Sequence, residues 1–254
     1  MTTTLDLVKE ASPKIAAIGP TFYFDPETGA VAKEHGLDML QMYFLGRGGV
    51  LGDVEPDVVA SAFGYFNPPV VAHMWTTAQQ VSSLTPREAA RIYLQCAQDF
   101  GRRHLSDVPG LAEFCAAAAK VNAGAERAGL ALYAGIAAEP LAEDLPARAM
   151  QLNTVLREHR GSAHITALLA TPGITPKVAH AIKRPDFWTL FGYDAADLPA
   201  GSDAERAALA RAEEITDQIV VEAFDVLDES ERDALLSGLA AIEKALPPMQ
   251  VPGQ

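Results

Sequence analysis

The chain has 254 residues, of which 49% are apolar and 21% charged, and its formal net charge is −13. These totals fit a globular protein with a sizeable core, built as one large domain or as two small ones fused. They speak against broad electrostatic attraction to nucleic acid or anionic membrane, though an acidic whole can still carry a local basic patch.

The first residues, MTTTLDLVKEASPK, lack the charged-then-apolar layout of a secretory leader. No apolar run approaches the roughly 18 residues that span a bilayer, so a cytoplasmic setting without a membrane partner is expected. Met42 to Leu45 is a short apolar run that suggests a strand. GRGGVLG (46–52) follows as a tight turn that would carry Arg47 toward the second half of the chain. DVEPDVVASAFGYF has Pro56 at a helix start and apolar residues at 3–4 spacing. SLTPREAARIYLQCAQDF opens with a capping box, Thr85 as N-cap, Pro86 at the first helical position and Glu88 reaching back. Residues 110–137 are rich in alanine and read as one or two helices broken near Gly124 and Gly129. Cys96 and Cys115 lie in such alanine-rich helical segments and read as buried thiols of a reducing compartment.

AAEPLAEDLPA (137–147) is the best candidate boundary, dividing an N-terminal helical half (1–142) from a C-terminal half (143–246) and a flexible tail (247–254). A helix is expected from about Pro146 to Leu169, then short helices in TPGITPKVAHAIKRPDFWTLFG with a second short strand around Ile174. ERAALARAEEITDQIVVEAFDVL reads as a long helix. DESERDALLSGLAAIEKAL reads as the next, with Asp228 and Glu231 as another capping box. The fold class is therefore mainly α: two helical halves resembling degenerate tandem winged-helix units, with few short strands.

Four motifs carry a family resemblance. FLGRGGVLGDVEPDVVASAFGYFNPPVV, AHMWTTA, LREHRGSAHITALL and EEITDQ occur in the order seen in the SalK-like actinobacterial helix-turn-helix family. The ending, where VLDESERDALLSGL leads into a last helix, resembles the closing segment of MarR-type winged-helix proteins. The resemblance implies a helix-turn-helix-type fold and a dimerising role for the last helices, hence a possible homodimer. It names no reaction and no cofactor. Ser162 stands where the family usually has Asp, and Val50 where it usually has Pro. KRPDFWTLFGYDAADLPAG replaces the family's Gly-Leu-Leu wing-like segment.

The densest chemistry lies in LREHRGSAHITALL (156–169). On a helical wheel, Leu152, Val155, Leu156, His159, Ala163, Thr166, Ala167 and Ala170 fall within an arc of roughly 120°, which makes His159 part of the core stripe. Asn153, Arg157, Arg160 and His164 form a second stripe about 60° wide, whose potential cations need an answering anion. Carboxylates of the acidic chain are one answer, and a pocket for a carboxylate, phosphate or other anion is the second. Glu158 points to the opposite side of the wheel and is not expected to be that partner. Gly161 in mid-helix costs about 1 kcal/mol against Ala, which suggests close approach by a ligand or a helix.

Other chemistries find less support. GRGGVLG is not G-x-G-x-x-G, because Leu51 takes the third glycine position. His159 and His164, at i,i+5, diverge on a helix, so no metal site is read. Ser162 sits on a helix without a nucleophile elbow. Lys177, Lys183 and Arg184 are balanced by Asp186, Asp194 and Asp197, so DNA binding, although possible, is disfavoured.

The leading expectation is a small-molecule-binding protein with a cavity between the halves. Arg47, Arg157, Arg160, His164 and His159 would hold an anionic or polar group, and Tyr43, Phe66, His73 and Trp75 would pack the rest. The alternatives are an acid/base enzyme in the same cavity, with His164 and Glu158 catalytic, and a MarR-type ligand-responsive transcription regulator.

Overall fold

A computed structural model describes residues 3–249, and the regular structure among them is entirely helical. Six helices precede residue 105: α1 (Thr4–Ile18), α2 (Pro26–Glu34), α3 (Met39–Gly48), α4 (Pro56–Phe63), α5 (Pro68–Val81) and α6 (Pro86–His104). Six follow: α7 (Leu111–Gly124), α8 (Ala131–Ala137), α9 (Leu145–Ala170), α10 (Pro176–Lys183), α11 (Asp203–Phe224) and α12 (Glu229–Ala245). Short 3₁₀ turns occupy Gly49–Leu51, Pro185–Phe187 and Ala195–Asp197. No helix among the described residues is long and apolar enough to cross a membrane. Residues 250–254 of the tail expected to be flexible lie outside the described residues.

The main core draws side chains from Leu7 through Ile242, on both sides of residue 142. A smaller cluster of Leu168, Ile174, Ala179, Leu209 and Ala212 sits beneath the α9–α10 turn. At the centre runs α9, which packs against α1, α6, α7, α8, α10 and α11. Asp144 caps its start by accepting from the Ala147 amide, and Pro146 occupies the first turn, where its missing N–H costs nothing. Burial on several sides would be costly for its polar residues unless they are paired. Gln151 meets that condition: its Oε1 accepts from Gln98 Nε2 and the Ala142 amide, while its Nε2 donates to the Pro140 carbonyl. That side chain holds the connection between α8 and α9 in place.

Two expected strands are helix and turn instead. Met42–Leu45 belongs to α3, which a capping box between Asp38 and Gln41 initiates. All four residues are buried, and a short apolar run buried on every side has no period to tell strand from helix. Ile174 lies between α9 and α10, after the turn at Gly173. GRGGVLG is not a free-standing turn but the last turn of α3 running into the Gly49–Leu51 turn. Its glycines allow close packing: a Cβ at Gly46 would press on the Tyr93 ring of α6, and one at Gly49 on the Pro86 carbonyl.

Candidate functional site

α3, α4 and the turn before α5 face one side of α9, and between them lies a cleft with two adjoining lobes. The larger, about 230 Å³, is lined by Arg47, Tyr65, Arg157, Arg160, Gly161 and His164, among others. The smaller, about 190 Å³, is lined mainly by apolar groups including Pro20, Phe24, Leu40, Phe187 and Leu190, with Arg184 at its edge. Tyr43, Phe66, Arg157 and Phe191 border both lobes. Phe66 and Phe191 stack at 3.9 Å, and His180 lies against the Phe191 ring at 4.2 Å.

Two polar clusters face the larger lobe. In the first, Glu158 is 2% exposed and both its oxygens are taken. Arg47 grips it through two bonds of 2.8 Å, Nε to Oε1 and Nη2 to Oε2, and Arg157 Nη1 donates to Oε1 at 3.0 Å. Arg47 also donates to the Tyr43 hydroxyl at 3.0 Å and lies 4.4 Å from the Phe63 ring, while Arg157 lies over Tyr23. Burial alone would raise the Glu158 pKa, but the two guanidiniums hold it below the usual range. Two cations therefore share one anion, and Arg157, the more exposed of the pair, adjoins both lobes.

The expectation that Glu158 faces away from the arginines is thus corrected. A wheel records where Cβ points, whereas Arg157 and Glu158 have side chains long enough to bend together, and Arg47 arrives from α3 on the far side of the cleft.

In the second cluster, Arg160 Nη2 donates to Glu213 at 3.0 Å and Asp217 at 2.9 Å, both on α11. Lys183 at the end of α10 also binds Glu213. The carboxylate answer therefore holds for both arginines of the stripe, Arg157 sharing Glu158 with Arg47 and Arg160 pairing with Glu213 and Asp217. His164 is 6% exposed and has both nitrogens engaged: Nδ1 lies 2.9 Å from Thr216 Oγ1 and Nε2 lies 2.6 Å from the Tyr65 hydroxyl. Thr216 spends its one hydroxyl proton on the Ala212 carbonyl at 2.7 Å. It can then only accept from His164, which puts the ring proton on Nδ1 and makes Nε2 the acceptor for Tyr65. Burial, with Lys183 and Arg160 nearby, pushes the His164 pKa down to about 4 against the pull of Glu213. Burial likewise raises the Tyr65 phenol well above its ordinary value. Gly64, at φ 58°, makes the sharp turn that delivers Tyr65, and Ile165 packs where a Cβ would stand.

Other residues singled out in the sequence lie elsewhere. His159 is buried against Tyr133, 4.6 Å between rings, and burial lowers its pKa to about 4. His73 is exposed on the outer face of α5. Trp75, two residues on, turns into the core, where its indole donates to the Val54 carbonyl at 3.1 Å. Neither His73 nor Trp75 lines the cleft, because α5 presents one face to solvent and the other to α3 and α4. Gly161 does line it, and a Cβ built there would meet nothing within 4 Å. Among the described residues no three or more His, Cys, Asp or Glu side chains gather as a metal site needs.

Tyr65, Glu213, Thr216 and Asp217 lie outside the site residues expected from the sequence. A signal for the last three was present: in EEITDQ they stand at i, i+3 and i+4, one face of a helix.

A model described as a helix-turn-helix family matches residues 8–197. No curated protein and no solved structure matches the chain.

Proposed function

The chain belongs to this helix-turn-helix family, and from that premise we propose that it binds a small, largely apolar monoanion in the cleft beside α9. One observation carries the reading: Arg47 and Arg157 share the single buried carboxylate of Glu158, which leaves one positive charge at the wall between the lobes. A buried unbalanced charge is expensive unless something answers it, and an anion in the cleft would answer it with little rearrangement. The stacked Phe66 and Phe191 rings beside it suit an apolar, planar body. Gly161 lines the same lobe at a solvent-exposed position, where a Cβ would meet no neighbour.

The test is calorimetric titration with 2-naphthoate, using uncharged 2-acetonaphthone as the matched control. The naphthoate is expected to bind, the ketone to bind at least about tenfold more weakly, and Arg157→Gln to erase that difference. Arg157→Gln leaves the Arg47–Glu158 pair intact, so the fold should survive. Equal binding of both probes, or no change in the variant, would overturn the reading.

Family membership favours a second reading, a ligand-responsive DNA-binding regulator, and the SalK-like and MarR-like resemblances belong to it. The cations of α10 and its flank weigh against direct contact with DNA. Lys183 is bound to Glu213, Arg184 pairs with Asp186, and Lys177 lies over the Trp188 and Tyr193 rings. A gel shift against the promoter region of its own gene at low salt decides it: a specific shift that 2-naphthoate relieves supports regulation, and no shift removes it. The acid/base alternative is weakened because Glu158 is held ionised by two guanidiniums, and His164 has both nitrogens committed. The homodimer would have to use the outer faces of α11 and α12, because their inner faces already pack on α1, α7 and α9.

A further inference from the structure

We propose that the cleft reads its ligand in one direction: an anionic group at Arg157 and a neutral hydroxyl, donating to the Tyr65 oxygen, at the His164 end. The inference rests on the anion-binding reading above and adds the polarity of the far end.

The order of protons in the second cluster supports it. The Ala212 carbonyl takes the Thr216 proton, Thr216 accepts from His164 Nδ1, and His164 Nε2 takes the Tyr65 proton. Tyr65 has one proton and has spent it, so toward the cleft its oxygen offers only lone pairs. A group meeting it must donate. Beside it Arg160 uses only Nη2 on Glu213 and Asp217, which leaves guanidinium N–H groups to donate at the same end. A hydroxyl satisfies both neighbours, giving its proton to Tyr65 and accepting from Arg160.

Charge separates the two ends. Around Arg157 there are two cations and one anion. At the His164 end, Arg160 and Lys183 are matched by Glu213 and Asp217, and the imidazole is neutral. Lys9 approaches Asp217 from α1 but stands exposed in solvent. A second anion here would displace an existing carboxylate, whereas a neutral hydroxyl would not. Arg157 and His164 are seven residues apart on one helix face, about 10 Å along the axis. The ligand class is therefore an elongated, mainly apolar hydroxy-acid with its two polar groups at opposite ends.

Three probes share one ring system: 2-naphthoate, 6-hydroxy-2-naphthoate and 6-methoxy-2-naphthoate. The hydroxy acid is expected to bind about tenfold more tightly than the parent, and the methoxy acid no better than the parent. Tyr65→Phe should remove the hydroxyl advantage, read within the variant as a ratio of hydroxy-acid to parent affinity that falls to about one. Thr216→Val tests the relay itself. Without its acceptor, His164 would move its proton to Nε2 and donate to Tyr65, whose own proton would turn to the cleft. The hydroxy-to-methoxy preference should then fall toward unity, a result that loss of packing alone would not give.

The two proposals fail differently. If none of the three acids binds, the anion-binding reading is wrong and this one falls with it. If all three bind alike, or the hydroxyl preference survives in Tyr65→Phe or in Thr216→Val, the anion site stands and the directional reading is overturned.

Discussion

The two clusters on α9 solve the same problem in opposite ways. Each brings arginine next to carboxylate in a partly buried setting. Around Glu158 one carboxylate serves two guanidiniums and is 2% exposed. Around Arg160 two carboxylates and a lysine form a redundant, partly solvated set. The first is a single point of failure with charge left over, and the second is balanced and buffered. A cation beside a cavity is thus not informative by itself; what matters is how many anions already hold it.

The largest expected break in that comparison is Glu158→Gln. It strands two largely buried guanidiniums and should cost about 3–5 kcal/mol by chemical denaturation. Should the cost be under about 1 kcal/mol, the first cluster is no more critical than the second.

Acid comes next. His164 is held near 4 in the fold against 6.5 for a free ring, so the unfolded chain binds the proton first. The stability tied to this ring is complete above about pH 6.5 and is lost as the pH falls toward 4, by about 2 kcal/mol between pH 7 and 5. His159 and His180 share the sign and the window, because burial holds each near 4 as well. Urea titrations at pH 7 and 5 should show that His164→Gln has an acid-induced loss smaller by that same amount. An unchanged loss would place the acid response elsewhere.

Glu213→Gln should cost only about 1 kcal/mol, since Asp217 still holds Arg160 and the site is partly screened by solvent. A cost matching that of Glu158→Gln would erase the contrast between the clusters. The smallest effect has the opposite sign. Gly161→Ala should stabilise the free protein by just under about 1 kcal/mol, because the added methyl meets no neighbour. It should also weaken 2-naphthoate binding. Gain of stability with unchanged binding would mean that the glycine does not keep space for a ligand.

Much of this was legible in the sequence where local chemistry decides. Capping boxes at Thr85/Glu88 and Asp228/Glu231 lie where the spacing puts them. The helix expected over about 146–169 is α9, at 145–170. Of the two faces expected on this helix, His159 is buried and Arg157, Arg160 and His164 line the cleft, but Asn153 is buried away from it and Thr166 and Ala170 of the core stripe are exposed. What escaped depends on partners distant in the chain. Glu158 answers Arg47 from 111 residues away, and Tyr65 meets His164 across 99. Tyr65 sits in an irregular turn after Gly64, where no period marks its direction. The buried run of α3 carries no amphipathic alternation to tell it from a strand, and α1, α2 and α5 lie outside the elements expected from the sequence.

Where the family match ends has a consequence of its own. Residues 8–197 contain Arg47, Tyr65, Arg157, Glu158, Arg160 and His164, but α11 begins at Asp203. The groups that balance Arg160 and fix the order of protons through His164 are thus supplied from beyond the matched span. The first cluster is complete within the matched span, while the second is finished by the EEITDQ face of α11. Replacing Glu213, Thr216 and Asp217 together should therefore dismantle the Arg160–His164 cluster while the Arg47–Glu158–Arg157 cluster, whose charged groups all lie on α3 and α9, stays in place.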